Sequence, residues 1–244
     1  IQINDITNTG NIVYRRNTAM KRYDYTYWSS PVSPQTLANL SPLTLSDKYF
    51  WWNPAAGIYN WATVTAPALT SMTQGQGYII RAPQFLPDLV TPWPTTSEPF
   101  VGSFSGVPNN GDYTVSIVKS ASGDFNLIGN PYPSAIDADA FITGNAATFT
   151  NGTLGTTLYF WTHNTPITAN SYFFNDYALY NFTGATGVGT VAPNSGNNNN
   201  PAPRYIAAGQ AFMIKGVNVG SFPATFRNTM RVAGSNTFFF RQSG

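Results

Sequence analysis

Few residues in this chain could do chemistry. Its 244 residues include one histidine, His163, ten Asp and Glu residues and no cysteine. Without Cys there are no disulfides, thiolate metal sites or thiol nucleophiles. His163 lies in Trp161-Thr-His-Asn164, just after an aromatic run, and reads as a turn histidine bonded to backbone. A nucleophilic triad built on it would lack the Gly-x-Ser-x-Gly elbow that presents a serine. Glycoside hydrolysis needs two facing carboxyls, and most of the acids here fall at caps and turns. Asp137 and Asp139, two residues apart, and Asp176 in Asn175-Asp-Tyr177 are the candidate oxygen ligands for a calcium ion. The Asp-rich, Gly-containing loop of a calcium hand is missing, and helix capping accounts for Asp137 without a metal. The glycines of Gly75-x-Gly77 precede a strand rather than a helix, which argues against a phosphate cradle.

The aromatic side chains are the stronger candidates. Phe, Trp and Tyr make up 15% of the chain. Tyr49-Phe-Trp-Trp52 and Ile58-Tyr-Asn-Trp61 read as the two arms of a hairpin turning at Ala55-Ala-Gly57. Neighbours on a strand point to opposite faces, so one of Trp51 and Trp52 enters the core and the other faces out. An outward ring beside Trp61 would make a flat platform for a sugar. Trp52, Trp61 and Trp93 are the candidate ligand-binding residues.

The elements that must position these groups centre on Phe125 to Phe141, FNLIGNPYPSAIDADAF. A strand ends at Gly129-Asn130-Pro131, because Pro cannot donate to a ladder and biases its predecessor toward extended backbone. Ser134 is placed to cap a short helix, with Asp137 three residues on in a capping-box arrangement. The same device occurs earlier. Asp24-Tyr-Thr-Tyr-Trp-Ser-Ser-Pro31 aligns with Asp124-Phe-Asn-Leu-Ile-Gly-Asn-Pro131, and Ser33 to Leu40 aligns with Ser134 to Phe141. Tyr49-Phe-Trp51 then answers Tyr159-Phe-Trp161, and Gly75 to Arg81 answers Gly209 to Lys215. Four ordered matches indicate one unit used twice, with longer loops in the second copy. The expected fold is all-β: two related β-sandwich, jelly-roll-like units, each with a strand, a Pro elbow and a short helix. The expected division is 1–118 and 119–244.

Elsewhere the pattern predicts two strands within residues 11–23, with Arg15, Arg16, Lys21 and Arg22 facing solvent. Strands are expected at 100–105 and 113–118, separated by the turn Pro108-Asn-Asn-Gly111, and again at 224–232 and 237–241. Gly184 to Pro203 is low in apolar content and is expected to be mobile.

Charged residues are 9% and the net charge is +2, against roughly 25% charged in ordinary soluble domains. With no basic face there is no nucleic-acid partner to expect. No apolar run approaches the ~20 residues of a membrane span. Few charges with many aromatics, Gly and Pro favour an extracellular β protein. The chain starts at Ile1 without a signal peptide and reads as a piece of a longer protein.

Several segments carry a family resemblance: Met20 to Pro31, Phe125-Asn-Leu-Ile-Gly-Asn-Pro-Tyr-Pro-Ser134, Tyr159 to Asn164 and Tyr205 to Phe212. In these the chain resembles large secreted or cell-surface, adhesin-like proteins of Bacteroidetes exported by the type IX secretion system. The resemblance spans nearly the whole chain, and GNPYPS is its most specific string. It implies an extracellular or cell-surface location, contact with the secretion machinery during export, and partners that are surface or extracellular proteins or glycans. It transfers no catalytic residues. The expectation is a non-enzymatic structural or adhesive module, with no cofactor beyond a calcium candidate. The alternative is a carbohydrate-binding module of a secreted polysaccharide-degrading enzyme.

Overall fold

The computed structural model describes residues 5–56, 60–121, 123–150, 154–167, 172, 175–183, 186–194, 196, 199–237 and 239–240. The fold is all-β, built of antiparallel sheets with a few short helices. The first half contains β1 (Ile12–Met20), β2 (Tyr25–Trp28), β3 (Val32–Ser33), α1 (Leu37–Leu40), β4 (Tyr49–Trp52), β5 (Trp61–Thr63), β6 (Tyr78–Arg81) and β7 (Glu98–Pro108). The second contains β8 (Tyr113–Lys119), β9 (Phe125–Gly129), β10 (Ala135–Asp137), α2 (Ala138–Gly144), α3 (Ala146–Thr150), β11 (Leu154–Trp161), β12 (Tyr177–Thr183) and β13 (Thr186–Gly189). It closes with β14 (Tyr205–Ile206), β15 (Ala211–Gly216), β16 (Gly220–Phe226) and β17 (Arg231–Val232).

The halves share one topology. The first main sheet runs β2-β6-β4-β5, and the second runs β9-β15-β11-β12 with β13 added at its edge. Registers correspond as well: Tyr25 faces Arg81 and Trp28 faces Tyr78, while Phe125 faces Lys215 and Ile128 faces Phe212. Each sheet is backed by a strand pair built the same way. β1 lies antiparallel to β7, and β8 lies antiparallel to β16.

Each sheet buries one face against its backing pair. In the first half Trp28, Tyr49, Tyr78 and Ile80 meet Met20, Phe100 and Phe104. In the second Ile128, Leu158, Phe160, Phe212 and Ile214 meet Ile117, Ala224 and Phe226. Strand alternation does the sorting: Trp28 and Ile128 point inward, and Tyr27 and Leu127 point to the opposite face.

Several expectations need correcting. The division at 118/119 falls within β8, which pairs with β16 and packs in the second core. The halves instead part at the turn 109–112, because each copy opens with the strand that will pair with its last long one. The N-terminal region forms a single nine-residue strand, not two. Period-two alternation then turns Arg16 inward, where it donates to the carbonyls of Ala208 (3.0 Å) and Asn236 (2.6 Å), to Asn236 Oδ1 (3.0 Å) and to the Tyr14 hydroxyl.

Ser134 does not cap a helix. The chain stays extended through β10, which is paired on both sides by β14 and β17, so α2 starts only at Ala138 with Asp137 as its N-cap. The first copy behaves alike: Ser33 lies in β3, and Thr36, the counterpart of Asp137, caps α1. No strand forms at Thr237, Phe239 or Phe240. Phe239 instead enters the first core and Phe240 the second, pinning the tail to both halves. Part of the stretch expected to be mobile, Thr186–Gly189, is β13, hydrogen-bonded to β12.

Candidate ligand-binding cleft

The second face of each main sheet is also covered, and what covers it is the other half. β2 and β9 are the edge strands that meet. Ser29 N donates to Gly209 O at 2.9 Å, and its counterpart Gly129 N donates to Gly75 O at 2.9 Å. Both acceptors sit in turns with left-handed backbone, φ +79° at Gly75 and +81° at Gly209, where glycine carries no Cβ penalty. The exchange continues in the side chains. Trp52 Nε1 donates to the Phe125 carbonyl (2.6 Å), and Trp161 Nε1 donates to the Tyr25 carbonyl (3.2 Å). Trp52 corresponds to Trp161 and Phe125 to Tyr25, so these bonds are reciprocal across an approximate twofold axis.

This pairing also fixes the alignment of the aromatic strands. Phe50 faces Ile79 and Tyr159 faces Met213, so Tyr159 is the counterpart of Phe50 and not of Tyr49. Matching Tyr-Phe-Trp to Tyr-Phe-Trp by identity is off by one residue. On a strand such a slip exchanges the two faces.

At the axis there is space for one Cβ where two would clash. A Cβ on Gly129 would overlap the Ser29 Cβ, and one on Gly77 would stand 2.9 Å from the Ala211 methyl. In each corresponding pair one member is glycine, and that lets the two edge strands approach.

Between the two sheets lies a cleft of about 750 Å³. Tyr27, Ile79, Trp161 and Met213 form its buried base, with Leu127 in the same packed cluster, and Tyr25, Phe50, Trp52, Trp61, Phe125, Tyr159 and Tyr177 pack around them. The rings brace one another. Trp52 and Trp61 meet edge to face at 4.7 Å and 82°, and Tyr27 stacks on Trp161 at 5.9 Å. The Tyr27 and Tyr177 hydroxyls share a hydrogen bond of 2.6 Å. Burial raises the pKa of Tyr25, Tyr27 and Tyr159 and pushes Tyr177 up to about 12, so the phenols stay neutral at ordinary pH. The one cation among the described lining residues, Lys215, stands 3.4 Å from Asp124 and 4.5 Å above the Phe125 ring.

The sequence candidates distribute as follows. Trp52 and Trp61 both line the cleft, but Trp52 also ties the halves together and is not a free outward platform. Trp51 turns the other way, against the first core. Trp93 is 4% exposed in that core, its indole donating to Met20 O (2.9 Å), and lies outside the cleft. The carboxylates are occupied by protein donors. Asp137 accepts from Asp139 N and from Arg204, and Asp139 accepts from the Tyr180 hydroxyl (2.7 Å) and Gly187 N (3.0 Å). Asp176 accepts from the Thr165 amide (2.6 Å) and hydroxyl (2.7 Å). Among the described residues no three His, Asp or Glu side chains gather as a metal site would require.

His163 is buried where the halves meet. Its Nδ1 lies 3.3 Å from Asp24 Oδ1 and 3.4 Å from Tyr25 N, and its ring packs on Trp161 and Tyr172. It buttresses the cleft from behind Trp161 and does not line it.

The sequence reading missed Tyr25, Tyr27, Phe125, Tyr159 and Tyr177 as cleft residues. The available signal was strands apolar at nearly every position, as in Tyr25–Trp28 and Phe125–Gly129, since a strand covered on both faces does not alternate.

Over its full length, residues 1–244, the chain matches the model of a family described as "Domain of unknown function (DUF8693)". The chain belongs to this family. No curated protein and no solved structure matches it.

Proposed function

We propose that this chain is a non-catalytic binding module of a large extracellular bacterial surface protein, with the aromatic cleft between its halves as the binding surface. One observation carries the reading. The reciprocal Trp52 and Trp161 hydrogen bonds hold together a preformed cleft whose lining is largely aromatic. Its size falls within the roughly 300–1,000 Å³ of small-ligand sites, which are typically apolar with a few polar groups. No histidine or carboxylate is among its described lining residues, so the surface offers rings and hydroxyls in place of an acid–base pair. The sequence resemblance supports cell-surface location, an adhesive role and export by the type IX system.

Attachment tests this reading. The purified chain immobilised on beads should bind a panel of extracellular glycans and host-surface proteins without altering them. Trp61→Ala should weaken that binding while leaving the melting curve intact. Turnover of any panel member, or binding indifferent to the cleft variants, would contradict it.

A further inference from the structure

We infer that the cleft receives an uncharged oligosaccharide, its C–H faces seated on the rings and its hydroxyls bonded to the few polar groups that have no hydrogen-bond partner among the described residues. The inference rests on the cleft being the binding surface and names the class of ligand.

Three features point to this class. The first is shape. Trp52 and Trp61 are both partly exposed and meet at 82°, so they form a corner of two flat faces that a sugar ring can occupy by stacking on one and abutting the other.

The second is hydrogen bonding. The Trp61 indole N–H, the Tyr159 hydroxyl and the Asn175 side chain have no hydrogen-bond partner among the described residues, and all three line the cleft. A purely hydrocarbon occupant would strip water from these groups and return nothing, at a cost for each. A ligand of many hydroxyls offers both donors and acceptors to them.

The third is charge. Lys215 is already paired with Asp124, and its ammonium stands over the Phe125 ring. No guanidinium is among the described lining residues. An acidic sugar or an anionic lipid head would have to compete with Asp124 for Lys215, the one cation among the described lining residues, whereas a neutral glycan leaves the pair in place. Because both sheets contribute to the lining, the ligand would lie across the two halves, as a chain of linked rings can.

The test uses the whole chain and three probe sets: neutral glucan, mannan and xylan oligosaccharides; acidic polygalacturonate and hyaluronan oligosaccharides; and a polyproline peptide, which also docks on aromatic grooves. Binding is read by calorimetry and by tryptophan fluorescence. At least one neutral oligosaccharide should bind saturably. Trp61→Ala should weaken it roughly 3- to 10-fold, the effect expected for loss of one aromatic contact.

Tyr159→Phe keeps the ring against Phe125 and removes only the hydroxyl, so it tests the hydrogen bond even if Trp61→Ala folds poorly. It should weaken binding roughly 2- to 10-fold. Raising the salt concentration should leave neutral binding unchanged, because no ion pair with the ligand is there to be screened. Binding confined to acidic glycans and lost in Lys215→Met would overturn the inference, as would the absence of binding by every neutral probe. Binding of the polyproline peptide alone, weakened by Trp61→Ala, would overturn it while leaving the cleft as the binding surface. A neutral glycan held equally by the wild type and both aromatic variants would overturn the inference and the proposed function together.

Discussion

The two halves carry the same framework and finish it differently. Strand order, register and the reciprocal bonds from Trp52 and Trp161 agree between them. The cleft-facing side chains do not. Tyr27 in the first half stands opposite Leu127 in the second, and Ile79 opposite Met213. Because Tyr27 stacks on Trp161 while Leu127 offers Trp52 no ring, Trp161 is only 7% exposed and Trp52 keeps an open face. His163 packs on Trp161 as well, and Tyr172 packs on His163. What both copies keep is what joins them: turn glycines, indole N–H groups and one missing Cβ in each axial pair. The part that varies sets which of the two bridging indoles keeps an open face, and that is Trp52 of the first half.

The largest test of this contrast lies in the tryptophans. Trp161→Ala should destabilise the fold by roughly 3–5 kcal/mol, as for a fully packed ring. Trp52→Ala should cost less, about 1–3 kcal/mol, because its ring is partly solvated. Urea denaturation of both variants gives the comparison, and equal losses would mean that the two positions are packed alike.

Next in size is the axis. Gly129→Ser puts a second side chain where Ser29 already stands and should cost roughly 1–3 kcal/mol. Adding Ser29→Gly removes the side-chain overlap and should recover part of that loss, the remainder coming from the Gln210 carbonyl 2.9 Å from the new Cβ. Failure of the rescue in the melting temperature would remove the twofold account of the interface.

The caps come third. Asp137→Ala should lose roughly 0.5–2 kcal/mol, being bonded to Asp139 N at 2.9 Å and paired with Arg204. Thr36→Ala should lie at the low end of that range, since its bond to Asn39 N is 3.4 Å long. The smallest effect is expected from Lys215→Met. Breaking a partly exposed ion pair of this kind shifts stability by less than about 1 kcal/mol.

Much of this framework was legible in the sequence. The all-β character, the duplication and the elbows at Pro31 and Pro131 follow from Pro, Gly and apolar spacing. What stayed hidden depended on contacts between distant segments. Ser134 satisfies every local rule for a cap, yet β14 and β17 hold the next three residues extended. Arg16 reads as a solvated charge, and only the fold brings the acceptors at Ala208 and Asn236 to it. Trp93 resembles Trp61 in type but is drawn into the first core through its bond to Met20. The cleft itself exists only once the copies face each other. Its sequence trace was the nearly continuous apolar character of β2 and β9, interrupted by Thr26 and Asn126.

Blocking the cleft tests the central claim most directly, and the chain's lack of cysteine makes that simple. Val191→Cys places one thiol on the cleft lining at a position 52% exposed, and Leu69→Cys places one outside it at a position 85% exposed. Each variant would be coupled to a bulky maleimide and assayed on an array of neutral glycans, acidic glycans and polyproline peptides. The account predicts that the label at 191 abolishes whatever binding the unlabelled protein shows, while the label at 69 leaves it unchanged. Full binding with the cleft blocked at 191 would contradict it.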